Sequence, residues 1–355
     1  MKGFLPLVII VLLLGCNGPQ KKTGHANSQE KTGVEFATKF EIHESELKVN
    51  EPWPGAVQSR IYEPAPDHTR IIVTSTTHLP YLEMLGLEDY LVGFPGTKYI
   101  SSPSFRKRVE NGQITDLGPD GGMNLELLIS LDPDAVFAFD MGSESVGLDK
   151  IEEAGIPVIY NADFLESSAL GRAEWIRFFG AYFGLQTKAD SVFKKISDRY
   201  KSLKELASDT ENRPTILSGV VYGDIWYLPG GKNWAAEFYE DAGGNYLWAQ
   251  NSTSGWIELS FESVYEKAGE ADFWIGTSTF NTKAELKGQD ARYADFDPFN
   301  NDQVYNYNKR ISPTGGYDFF ESGYARPDIV LADLIKIIHP ELMEDYETYY
   351  FKKLP

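Results

Sequence analysis

One cysteine in 355 residues excludes a great deal. Cys16 alone can form no intramolecular disulfide, no thiolate-ligated metal site and no iron–sulfur cluster, so packing has to hold the fold together. Histidine is nearly as scarce. His25, His43, His68, His78 and His339 show no ligand spacing, which denies a bare zinc or manganese ion the convergent cage it needs. No metal ligands, no cofactor and no catalytic residues are assigned. The chain has no Gly-x-Ser-x-Gly elbow, no Gly-x-Gly-x-x-Gly, no P-loop and no His-Glu-x-x-His. Gly230-Gly231-Lys232 is an incomplete phosphate loop with no Ser or Thr after the lysine. The reading is therefore not an enzyme. Positive charge is also short, at 33 Lys and Arg against 52 Asp and Glu. A net charge of -19 excludes general nucleic-acid binding, although a few local arginines can still reverse the field inside a cleft.

Long apolar runs are missing too. The N-terminal run at residues 4–14, preceded by Lys2, is too short to span a bilayer comfortably and reads as an export signal. It ends in Leu13-Leu14-Gly15-Cys16, which resembles the bacterial lipoprotein signal, in which the cysteine thiol is acylated. Residues 1–15 are then a signal peptide and Cys16 the lipidation site. The polar stretch 16–35 is a flexible tether.

Partial alternation from 36 to 49 predicts an edge strand or hairpin ahead of a Trp53-Pro54-Gly55 turn. From Arg70 onward, short apolar runs alternate with helical patterns. Strand candidates lie at 71–74, 91–93, 135–139 and 157–160, and again at 215–222, 271–275 and 304–307. Apolar strands with no wet face, separated by helices, indicate parallel sheets covered on both sides. Between the two sets, a charged helix at 187–207 follows a break near Gly180–Gly184 and can act as a strut. The expected organisation is an N-terminal lobe with an N-terminal extension at 36–165, connecting helices at 166–210, a C-terminal lobe at 211–345 and a tail at 346–355.

Three stretches carry a family resemblance over residues 68–342: Gly122-Met123-Asn124-Leu125-Glu126-Leu127-Leu128 running on to Val136, Trp256 with Ser260-Phe261-Glu262-Ser263-Val264, and Tyr324-Ala325-Arg326-Pro327. In these the chain resembles the cobalamin and iron-siderophore class of ABC-transporter solute-binding lipoproteins. The resemblance implies an α/β fold of two Rossmann-like lobes with mostly parallel central sheets, joined by a single long helix (class III, helical-backbone type). It implies that Glu126 and Glu262, one per lobe, dock on permease arginines, and it puts Arg326 near the cleft. A favourable helix dipole is the local alternative for both acids. Pairing with an acid of its own lobe is the alternative for Arg326.

Ligands of such folds sit between lobes, at loops following strand carboxyl ends. Those loops are rich in rings, and Tyr99, Tyr222, Trp226, Trp256 and Tyr317 are the expected ligand contacts beside Arg326. His78, in the turn before a helix, is open to a capping, packing or cleft-lining role. The expected partners are a small-molecule metal chelate, an ABC permease and, through the lipid anchor, the extracytoplasmic face of a bacterial membrane. A monomer with no nucleic-acid partner is expected. A ferric siderophore leads, with cobalamin or haem as the alternative ligands and a structural or adhesion lipoprotein as the alternative role.

Overall fold

The computed structural model describes residues 33–119, 122–142 and 147–355. The signal segment, Cys16 and most of the expected tether lie outside the described residues. Lys31–Pro355 forms one compact unit. Its first elements are three short antiparallel strands, β1 (Phe40–Ile42), β2 (Leu47–Val49) and β3 (Arg60–Tyr62), in that order across the sheet. They confirm the hairpin expected near 36–49.

The N-terminal lobe is a five-stranded sheet of β4 (Ile71–Val73), β5 (Leu91–Phe94), β6 (Thr115–Asp116), β7 (Ala135–Ala138) and β8 (Val158–Tyr160). The order is β6-β5-β4-β7-β8, with every pairing parallel. Successive side chains of a strand point to opposite faces. Ile71, Val73, Ala135 and Phe137 therefore enter one core layer, while Ile72, Val136 and Ala138 enter the other. Both faces are covered, which is why these strands read as unbroken apolar runs. The lobe's helices are α1 (Leu79–Leu85), α2 (Pro103–Glu110), α3 (Leu125–Ser130) and α4 (Leu148–Glu153).

The connecting segment divides its work. Helix α5 (Ala169–Ala173) spans both cores, with Ala169 and Leu170 in the C-terminal one and Ala173 in the N-terminal one. Helix α6 (Trp175–Tyr182) belongs to the N-terminal lobe, because Trp175, Ile176, Phe178 and Phe179 are fully buried in its core. The long bridging helix is α7 (Gln186–Ser208), 23 residues and so about 34 Å in length. The break expected at Gly180–Gly184 is real: α6 ends at Tyr182, and Gly184 takes φ +69°.

The C-terminal lobe holds β9 (Thr215–Leu217), β10 (Val220–Tyr222), β11 (Ile225–Pro229), α8 (Trp234–Asp241), β12 (Asn245–Tyr246), β13 (Trp256–Leu259) and α9 (Phe261–Ala268). It continues with β14 (Phe273–Ile275), α10 (Lys283–Gln289), α11 (Asp297–Asn300), β15 (Val304–Asn306), α12 (Asp318–Glu321), α13 (Pro327–Ile338) and β16 (Lys352–Lys353). Its main sheet runs β12-β9-β14-β15-β16, parallel except at β16, and β10-β11-β13 forms a separate antiparallel sheet. Two expectations need correction. The single strand expected at 215–222 breaks at Gly219, where φ is +79° and a Cβ would lie 1.9 Å from the Tyr227 carbonyl oxygen. Residues 346–355 are part of the lobe. Asp333 of α13 accepts the backbone N–H groups of Tyr349, Tyr350 and Phe351, and β16 extends the main sheet.

Candidate functional site

Parallel strands place the loops at their carboxyl ends together. In the N-terminal lobe these are residues 74–78, 95–99, 139–142 and 161–165. In the C-terminal lobe they are 276–280 and the long stretch from 307 to the start of α13. The two sets meet. The Thr314 hydroxyl donates to the Lys98 carbonyl at 2.7 Å, and Gly316 lies so close to Tyr99 that a Cβ there would come within 2.2 Å of its carbonyl oxygen. Tyr99 and Tyr317 lie in these two contacting loops, Tyr99 exposed and Tyr317 half-buried.

Behind Tyr317 stands a wall of rings. Tyr307 stacks on Phe319 with centroids 4.7 Å apart, and Phe320 packs against Tyr307 at 5.0 Å and Tyr317 at 6.0 Å. Trp234, at the start of α8, extends this wall to Phe319 and Tyr324, at 6.2 and 5.2 Å. Burial raises the Tyr307 and Tyr317 hydroxyls above the usual range, so both are neutral and able to donate. On the opposite lobe Phe139 and Phe164 pair edge to face at 4.9 Å. Asp163, fully buried beside them, is pushed up to about 6 by burial, against the pull of Arg172 and of hydroxyl donors.

Arg172, on α5, joins the lobes at the base of this arrangement. Its guanidinium lies 4.8 Å from the Trp234 ring and 4.7 Å from the Tyr324 ring, both on the C-terminal lobe. It also donates to the carbonyls of Glu166 and Phe164. Sequence reasoning missed Arg172, Tyr307, Phe139 and Phe164. The carboxyl-end rule reaches Phe139 and Tyr307 directly, one residue past β7 and β15, but Arg172 sits in an Ala-Leu-Gly-Arg-Ala stretch with no such signal.

Four expected contacts fall elsewhere. Trp226 is wholly buried: its indole packs on Trp274, Tyr293 and Phe296, and its N–H donates to the Ser218 carbonyl, so it is core and not a ligand contact. Arg326 has its carboxylate partner in the same lobe, since Asp328 accepts from Nε at 2.9 Å and from Nη2 at 2.8 Å. Asp328 also pairs with Arg199 of α7, which ties Arg326 to helix packing and uses its Nε–Nη2 edge within the lobe. Tyr222 and Trp256 are exposed, 81% and 60%, on the β10-β11-β13 sheet, and among the described residues neither joins the ring wall. His78 is wholly buried under Phe179, which keeps its ring out of reach of a ligand in the cleft, and burial lowers its pKa to about 3.

Glu126 and Glu262 are both exposed near helix starts, behind the capping side chains of Asn124 and Ser260. Glu262 lies 3.2 Å from Arg292, a surface pair that Asp290 holds mainly from the other side. Two open recesses of about 390 and 420 Å³ lie elsewhere in the C-terminal lobe, lined by Phe273 and Gln303 at the strand starts, the end opposite the cleft. Among the described residues no cluster of His, Asp and Glu converges to hold a metal ion, and no helix is long and apolar enough to cross a membrane.

Two α/β lobes joined by one bridging helix, with rings gathered where the loops at the strand carboxyl ends of both lobes meet, are the architecture of a solute-binding carrier, not a catalyst. The periplasmic binding protein family matches residues 71–311, and the chain belongs to that family. It is 25% identical over 296 residues to an uncharacterized lipoprotein of Methanocaldococcus jannaschii, covering 80% of this chain and 68% of that protein. A vitamin B12-binding protein of Vibrio campbellii is 26% identical over 43% of this chain and 53% of its own length. Among solved structures, a possible iron-binding periplasmic solute-binding protein from Staphylococcus epidermidis superposes with a TM-score of 0.60 at 18% identity, covering 77% of this chain and 99% of that one.

Proposed function

We propose that the chain is the capture subunit of an ABC importer, held by a lipid on Cys16 at the extracytoplasmic face of a membrane, and that it carries a bulky iron chelate. The observation that carries this reading is the ring cluster of Trp234, Tyr307, Tyr317 and Phe320, backed by the buried Phe319, beside the loop contact that brings Tyr99 to the same junction. Stiff rings with polar edges suit a large, partly apolar chelate. The likeness in fold to a possible iron-binding protein supports it.

Charge narrows the ligand. Asp318 holds Arg310, Asp328 holds Arg326, and Arg172 is occupied by carbonyls and rings. With Arg310 and Arg326 paired to acids and Arg172 turned to carbonyls and rings, Lys98 beside Tyr99 is the cation left at the junction among the described residues, which suits a neutral ferric tris-hydroxamate better than a polyanionic tris-catecholate. Cobalamin is the second reading, because it is large, is not polyanionic and is the ligand named for the Vibrio relative. Haem is the third reading: burial removes His78 as its axial ligand and leaves a tyrosine of the junction, such as Tyr99 or Tyr317, to take that place. Intrinsic-fluorescence titration of residues 31–355 against a ferric tris-hydroxamate, a ferric tris-catecholate, cobalamin and haem tests the proposal. Saturable one-to-one quenching by the hydroxamate is expected. Selective cobalamin or haem binding replaces the ligand, and tight catecholate binding contradicts the charge argument.

A further inference from the structure

The lobes are joined by a hydrogen-bonded contact that the bridging helix does not require. Glu321, the last residue of α12 and 2% exposed, accepts the backbone N–H of Ser101 at 2.6 Å and of Ser102 at 2.8 Å. These residues lie 220 and 219 positions apart, on opposite lobes. Ser102 immediately precedes α2, and its own side chain does not cap that helix. The carboxylate of one lobe therefore sits at the amino end of a helix of the other, where exposed N–H groups and the helix dipole favour negative charge. Ser102 is shared, for its hydroxyl donates to Glu83 of α1 at 3.0 Å. The Thr314–Lys98 bond and the Gly316–Tyr99 approach lie in the same two loops. Those loops carry Tyr99 and Tyr317.

We infer that Glu321 is a positioning residue, the clasp that holds the Tyr99 loop against the Tyr317 loop and so sets how long a ligand stays between them. The inference rests on the capture reading for its ligand readout only. Opening the clasp exchanges two hydrogen bonds for bonds to water, a modest net cost, so it holds the loops together yet leaves no covalent barrier to a docked permease.

Spin labels at Lys107 and Lys287, both exposed and one on each lobe, report lobe separation in residues 31–355. The unmodified clasp is expected to give one short distance. Glu321→Ala broadens it toward longer distances and speeds amide exchange at 101–102. Glu321→Gln, which keeps one acceptor oxygen, restores part of both. Gly316→Ala changes no charge but drives a Cβ into the Tyr99 carbonyl, and it is expected to reproduce the broadening. Release of a ferric tris-hydroxamate from Glu321→Ala should be faster by about tenfold, as expected for loss of two hydrogen bonds to a buried carboxyl group, whose pKa burial pushes up to about 8. Distances and exchange unchanged in Glu321→Ala and Gly316→Ala overturn the clasp. Failure of the unmodified protein to bind the hydroxamate overturns the ligand and leaves the distance measurement to decide the clasp.

Discussion

Trp226 and Trp234 show how far residue type alone can mislead. Both are tryptophans in aromatic stretches of the C-terminal lobe, and only contact partners separate their roles. Trp226 fills the core between Trp274, Tyr293 and Phe296, whereas Trp234 joins the ring wall and touches Arg172 of α5. Trp226→Ala is expected to cost about 3–5 kcal/mol of stability, the range for truncating a buried aromatic. Trp234→Ala is expected to weaken chelate binding at least tenfold with a smaller loss of stability. Urea midpoints and fluorescence titrations of the two variants check this, and equal effects on both properties would contradict the division. Sequence reasoning found Tyr99 and Tyr317 because polar or glycine neighbours mark them as loop residues. It placed Arg326 near the cleft through the family resemblance, and the alternative it kept open, pairing with an acid of the same lobe, is the one that Asp328 supplies. It missed Glu321 because a glutamate becomes a clasp only through a loop 220 residues away.

Elements that bury both faces of a strand were legible, since β4, β7 and β8 are apolar throughout. Elements made by tertiary pairing were not. The β10-β11-β13 sheet depends on Gly219 turning the chain against Tyr227, and β16 depends on Asp333 gathering three N–H groups. The N-terminal strap depends on distant carboxylates as well. Glu174, fully buried, accepts from Glu35, Phe36 and Ala37, while Glu166 accepts from Thr38 and Lys39. Phe36 also packs on Phe193 of α7 at 6.0 Å, so the chain enters the folded body beside the bridging helix. Glu174→Ala removes the acceptor for three N–H groups and is expected to cost about 2–4 kcal/mol, with faster amide exchange confined to residues 34–39. An unchanged urea midpoint would show that the strap is not held there.

At the scale of the whole molecule, the arrangement separates capture from delivery. Rings and the clasp lie between the lobes, while Glu126 and Glu262 are exposed near the starts of α3 and α9, one on each lobe. A 23-residue bridging helix packed on α6 and α13 favours a small hinge over a wide clamshell motion. Exposed charges of this kind act on encounter and its salt dependence far more than on fold stability. The most direct measurement pairs uptake of the bound chelate with its equilibrium affinity in the double variant Glu126→Arg/Glu262→Arg. Uptake lost with affinity unchanged is the expected result. Uptake retained, or affinity lost along with it, would contradict a carrier that captures between its lobes and docks through one acid on each.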